Sequence, residues 1–437
     1  MLAAAGAAVL AIWLTTAWLL DVADDAPPGT ERAKIRVDAV RTGLAAGGGA
    51  GAAVGLMLAF RRQRHAELAT ALGQLDAAER RITELYNAAA EQLGSDKAPV
   101  RLTALYTLER LANDNPRHQQ TIVNIICAYL RMPYTPPPAD GPDQEEQHRE
   151  RARRNAARYR AARDNRPAPL EPAPHGADPH EERQVRLTAE RLLATHLRPD
   201  AEHHWNGVSL DLTGATLTDL DLALCAVQRA DFSNATFSGD AEFGYATFSG
   251  NAEFRGATFS GDAWFDHATF SGNAEFGQAT FSGIAGFGRT TFSRHAGFDQ
   301  ATFSSNASFG GAPFSSNASF VGATFSRHAI FGGAAFSEHA GFGQATFSSN
   351  ASFGGATFSR DASFGEATFG GDAWFGEATF GGDVRFDEAR FEHTVVLESA
   401  TVAVCAAGHV PPPGWRIEPT EGGAGRFSRD PAPANGI

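Results

Sequence analysis

Residues 246–270 read ATFSGNAEFRGATFSGDAWFDHATF, with phenylalanine at 248, 254, 259, 265 and 270. The same alternation of five- and six-residue gaps runs from Phe232 to Phe391 without a slip, and it uses thirty of the chain's 32 phenylalanines. Ala stands two residues before each of them, save at Thr290 and Val384. In an extended segment residues i and i+2 face the same side, so each Ala–Phe pair points inward and the residue between them points out. The pairs that follow (Ser-Gly, Gly-Gly, Ser-Asn, Arg-His) suit sharp corners. Segments this short bury nothing alone; wound into a coil, they stack every ring on its equivalent one turn away. The predicted interior therefore includes Phe237, Phe243, Phe248, Phe254, Phe259, Phe265, Phe270, Phe276, Phe281, Phe287, Phe292, Phe298, Phe303 and Phe309. If four sides close a turn, the repeat is twice the 11-residue unit, or 22 residues. The Phe block then makes about seven turns and, at ~4.8 Å between strands, a stack roughly 35 Å tall.

Ahead of this block the spacing is five throughout: Leu212, Leu217, Leu222, Val227, Phe232 and Phe237, within LDLTGATLTDLDLALCAVQRADFSNATF. This resembles the pentapeptide-repeat family, whose pattern places a small residue two before a central Leu or Phe; the five–six alternation looks like its Phe-rich variant. The resemblance covers residues 207–402. It implies a mainly β fold, a right-handed quadrilateral β-helix with about four repeats per turn. Both open ends of such a coil need covers. A helix in 181–206, carried by EERQVRLTAERLLATHL, is expected over the first turn, and a hairpin of WRIEP and GRFSR is expected within a C-terminal cap and tail over 403–437.

The N-terminal part has a different character. Residues 2–20 and 43–60 carry no charge, each run being about long enough to cross ~30 Å of hydrocarbon, so 1–65 is read as two transmembrane helices with a short connecting loop. Gly43, Gly47, Gly51 and Gly55 recur on one helix face, a spacing that permits close packing on the first segment or on a second copy in a homodimer. Arg61, Arg62 and Arg64 after the second run place the repeat domain in the cytoplasm. Residues 66–132 follow as a helical stalk and a helix pair over 99–113 and 117–131, with Asp96 as the expected cap. The stretch EQLGSDKAPVRLTALYTLERLANDNPRHQQTIVNIICAYLR resembles a segment preceding pentapeptide repeats in membrane-anchored proteins of high-GC Gram-positive bacteria. Residues 133–180, rich in proline and charge, read as a disordered linker containing a basic run at 149–163.

Residues 206–402 hold 21 acidic side chains against 8 Arg and no Lys, which equals the chain's whole formal charge of −13. Such a surface repels nucleic acid and favours basic partners, or simply keeps a Phe-rich repeat soluble. Cys127, Cys225 and Cys405 form no close pair, arguing against a disulfide framework or a zinc site. His295 and His339 share a column two turns apart, too far for one metal. No nucleophile–base constellation or phosphate loop stands out, so neither an enzyme nor a cofactor is expected. One outer column runs Glu242, Trp264, Gly286, Ser308, Ile330, Ser352, Trp374; Trp264, Ile330 and Trp374, with Ile284 alongside, are the candidate protein-contact patch. The resulting expectation is a multi-pass cell-membrane protein, a tethered non-enzymatic scaffold whose solenoid wall binds an unidentified protein. The family resemblance implies an alternative: some soluble members imitate DNA and bind type II topoisomerase, here through the acidic solenoid.

Overall fold

The computed structural model describes residues 2–25, 29–137, 179–405 and 408–431, so most of the linker, its basic run and the final tail lie outside the described residues. The chain divides into two compact units, Met1–Leu85 and Tyr86–Ile437.

In the first unit the apolar, uncharged runs form α1 (Leu2–Asp24) and part of the long α2 (Thr30–Leu93). A Cβ built at Gly43 would lie 2.6 Å from Thr16 Oγ1, and one at Gly47 would lie 3.9 Å from Ile12 Cγ2. Those two glycines therefore admit α1 against α2, whereas Gly51 and Gly55 have nothing within 4 Å among the described residues. Arg32 and Arg36 close the turn of this hairpin on Ala23 and Asp24. Among the described residues one helix, α2, is long and apolar enough to cross a membrane, and none of its apolar window is buried.

In the second unit, short parallel strands stack into four sheets of eight, nine, nine and eleven strands, a four-sided solenoid of about nine turns. From Ala230 the register advances by 22 residues, as in Ala230↔Ala252 and Phe237↔Phe259. The five-spaced prelude makes a tighter first turn, pairing Leu217↔Phe237 and Leu210↔Ala230. Two kinds of side alternate. On one kind the strand is Ala plus the outward residue, as in Ala241–Glu242; on the other it is Thr plus Phe, as in Thr247–Phe248.

Every Phe from 232 to 386 is buried, with Phe391 partly so at the C-terminal end. Rings one turn apart stack face to face (Phe265–Phe287, 4.7 Å between centroids, 1° between planes). Rings from the two opposed Ala-type sides meet edge to face (Phe276–Phe287, 5.3 Å, 85°). The ring quadrupole favours the edge-to-face contact, while the parallel stacking is set by the spacing of successive strands. Thr290, which breaks the Ala rule, is fully buried and donates its hydroxyl to the Phe265 carbonyl at 2.6 Å.

The corners depart from the sequence expectation. The left-handed residue is not in the pairs that follow the Thr-Phe strands, such as Ser249-Gly250 or Gly370-Gly371, but two places after the Phe of each Ala-type side. It recurs every eleven residues from Asn234 to Ser399 with φ between 56° and 67°, and only 256, 311, 322, 333 and 355 are glycine. The Ser-Gly glycines keep ordinary φ and are small because turns approach closely: a Cβ at Gly272 would lie 2.3 Å from the Gly250 carbonyl carbon. Beside them, Asp and Asn side chains clamp successive turns. Asp240 Oδ1 accepts the Asp262 N–H at 2.9 Å, and Asp262 Oδ1 accepts that of Ile284 at 2.7 Å.

The N-terminal cover is more than the expected single helix. Besides α5 (Pro179–Leu197), it includes α3 (Ala98–Asp114) and α4 (Gln119–Leu130). Asp96 does not cap α3; Lys97 holds the N-cap position and no side chain caps it. The first strand has no neighbour on its outer edge, and the Gln120 side-chain amide stands in for one, donating to Ser209 O at 2.9 Å and accepting Ser209 N–H at 2.8 Å. Glu190 on α5 accepts the N–H groups of Thr218 and Asp219, both at 2.9 Å. His196 bridges Glu109 (2.9 Å) and the His203 carbonyl (2.8 Å) and stacks on the buried Trp205 at 4.4 Å. At the other end Trp415–Pro419 and Gly425–Arg429 form the expected antiparallel hairpin, and Phe427 meets Phe380 edge-on at 6.0 Å.

Candidate interaction face of the solenoid

Outward residues on an Ala-type side line up one per turn, so a column of the sheet is a column of the surface. The side that begins at Ala241–Glu242 carries Glu242, Trp264, Gly286, Ser308, Ile330, Ser352 and Trp374 in direct register, and Val396 extends it. The column is as expected, but its apolar members do not touch one another. Trp264 and Ile330 are three turns apart and Ile330 and Trp374 two, or roughly 14 and 10 Å at ~4.8 Å per turn. Trp264 lies over Gly286, where a Cβ would stand 2.7 Å from the indole, and Ile284 precedes that glycine by two residues. Trp374 is 54% exposed and Ile330 42%.

A second exposed group adjoins Trp264. The left-handed corner leaving this side presents Leu224, Tyr245 and His267 on successive turns. Tyr245 is 59% exposed, and its ring stacks on His267 at 4.6 Å and 3°. Sequence reasoning passed over this column because it looked outward only at the residue between Ala and Phe; the available signal was the fixed offset of two after Phe. Next to these rings the surface is acidic. Burial first, and then Asp221, Asp240, Asp266 and Asp262, raise the Glu242 carboxyl above the usual carboxylate range. The first four turns of this side thus combine stacked aromatics with clustered negative charge, a surface suited to apolar and cationic side chains of a partner.

Chemistry elsewhere on the wall is structural. His295 and His339 are separated in their column by Asn317, whose carbonyl accepts from His295 Nδ1 at 3.1 Å. No group of three His, Cys, Asp or Glu that could hold a metal occurs among the described residues. Burial pushes the thiols of Cys127 and Cys225 up to about 12, which keeps them protonated and unreactive at neutral pH.

Parallel register on four sides, one small and one large inward residue per side, and capped ends define a β-solenoid built of short tandem repeats. Its repeats are pentapeptide repeats: the model of that family matches in nine copies between residues 212 and 401. No curated protein and no solved structure matches the chain.

Proposed function

We propose that this protein is a membrane-tethered, non-enzymatic scaffold that binds another protein through the first four turns of the Glu242 side. The supporting observation is the stack of the exposed Tyr245 on the half-buried His267, beside Trp264 and the acids Asp221, Asp240, Glu242, Asp262 and Asp266. A wall needing only solubility has no use for exposed aromatic rings among like charges. The partner contributes basic and apolar side chains. The tether is the N-terminal pair α1 and α2, both crossing the cell membrane, with the repeat domain in the cytoplasm; α2 supplies length and composition for a span, and Arg61, Arg62 and Arg64 follow its apolar run.

Proximity labelling from the C-terminus in cells, comparing the parent with Tyr245→Ala/Trp264→Ala, tests the reading. Loss of a defined set of neighbours, with unchanged melting of the purified protein, supports it. An identical neighbour set refutes it. Should type II topoisomerase be among the neighbours and bind the purified protein at low salt, the DNA-mimic alternative replaces it.

A further inference from the structure

Between the end of α2, α3, α4 and α5 lies an open cleft of about 390 Å³ lined by Leu93, Asp96, Arg101, Tyr134, Glu182 and Arg186, among others. Its floor is charged and buried: Arg101 is 4% exposed and Arg186 1%. Both guanidinium groups share a single carboxylate. Glu182 Oε1 accepts from Arg186 Nε at 2.9 Å and from the Tyr129 hydroxyl at 2.9 Å, while Oε2 stands 3.1 Å from Arg101 Nη2.

The two arginines are used very differently. Arg186 is saturated: Nη1 donates to Leu130 O at 2.8 Å, Nη2 to Met132 O at 2.7 Å, and its guanidinium lies 4.4 Å from the Tyr134 ring centre. Arg101 spends only Nη1 on a hydrogen bond, to Ser95 O at 2.6 Å. Its Nη2 keeps only the ion pair to Glu182, while its Nε is buried without any acceptor, and so is the Tyr134 hydroxyl. Leaving such donors unmet costs about 1–3 kcal/mol each, more for a charged group, so native proteins almost always supply an acceptor. The half-buried Glu182 and, on the Arg186 side, the buried Glu190 face these two guanidinium groups, and the exposed Asp96 is at the solvent mouth.

We infer that this cleft is a binding site for a small oxyanion, a carboxylate or phosphate group held by Arg101 Nε and the Tyr134 hydroxyl. Both sources offer what these two donors lack, an oxygen acceptor, and a guanidinium N–H gives either one a charge-assisted hydrogen bond. The site sits where the helical cover gathers α3, α4 and α5, so occupation stiffens that cover. It is independent of the Glu242 side.

The test is the melting temperature of the full-length protein in detergent, titrated with inorganic phosphate and, separately, with sodium acetate, each against sodium chloride at matched ionic strength. The expected result is a saturable rise with one of the two, which identifies the source. Arg101→Lys keeps the charge but removes Nε, and Tyr134→Phe removes only the hydroxyl. Each loses one hydrogen bond to the anion and weakens the apparent Kd about tenfold or more. No rise beyond the chloride control with either probe overturns the assignment, as does a rise that Tyr134→Phe and Arg101→Lys both leave unchanged. If Arg101→Lys fails to fold, the Tyr134→Phe titration decides alone.

Discussion

Glu190 couples the helical cover to the solenoid, and its protonation provides a measurable handle on that joint. It is held between two opposing effects. Burial drives its carboxyl up from 4.5 to about 7, against the pull of the Thr218 and Asp219 amides that bond to it. A carboxyl whose folded pKa exceeds its unfolded one binds an extra proton in the folded state between those two values. Stability is therefore greatest below about 4.5, falls as pH rises, and levels off above about 7. At 1.36 kcal/mol per unit the loss is on the order of 3 kcal/mol, or roughly two orders of magnitude in an opening equilibrium. Glu190→Gln removes the titration. Hydrogen exchange of the Thr218 and Asp219 amides, followed by mass spectrometry on the full-length protein, reads the joint directly, and the ratio of parent to variant at each pH cancels the intrinsic exchange rate. The parent's protection should drop relative to Glu190→Gln by about a hundredfold between pH 4.5 and 7. The variant's own protection should sit lower overall, since its NH₂ faces an amide N–H it cannot accept. A parent-to-variant ratio that stays flat across that window would refute a buried, proton-linked Glu190.

Three further outcomes follow from the geometry. Phe309→Ala removes a fully buried ring stacked at 4.9 Å on both Phe287 and Phe331, so urea unfolding should show a loss of about 3–5 kcal/mol; a loss under about 1 kcal/mol places that ring outside a packed column. Glu377→Gly relieves a left-handed backbone at φ 61° and should raise stability by a few tenths to about 1 kcal/mol, whereas Glu377→Val should lower it, both measured by the shift in unfolding midpoint. Gly286→Ala drives a methyl to within 2.7 Å of the Trp264 indole, which must swing into solvent; a red shift in tryptophan emission, absent when Trp264 is also replaced, is the expected signature.

The interior was legible because one residue type at one spacing served one purpose: thirty rings on a strict clock admit no other common burial, and the four-sided turn implied by the family resemblance then sets the 22-residue register. The corners were not. Asn234, Tyr245, His267, Gln278, Arg289 and Glu366 share a backbone conformation but no side-chain chemistry, so composition is silent where the surrounding turns impose the strain. The Ser-Gly glycines misled for the opposite reason, since lack of a Cβ serves close approach as well as it serves positive φ. Nor could the cover be read in full. A glutamine on α4 says nothing of the strand edge it will complete, because the distance from Gln120 to Ser209 exists only in the folded chain. Of the proposed contact face, Trp264 and Trp374 stood out as aromatic intruders in an outward column, but Tyr245 and His267 lay in the unrecognised corner column.

That corner column bears on function through its strain. It runs Leu224, Tyr245, His267 and Arg289, then Gly311, Gly333 and Gly355, before Glu377 and Ser399 near the C-terminal hairpin. Every position has the same left-handed backbone, which glycine adopts freely and other residues adopt at about 1–2 kcal/mol. Three consecutive turns in the middle take the unstrained solution, so the fold accepts glycine there without loss of register. Four consecutive turns next to the helical cover decline it and carry large side chains instead, with the exposed Tyr245 stacked on the half-buried His267. Strain retained where the scaffold does not require it indicates a side chain kept for what it touches. The proposed contact residues therefore sit at the covered end of the column, on the turns that also carry Glu242, Trp264 and their acidic neighbours.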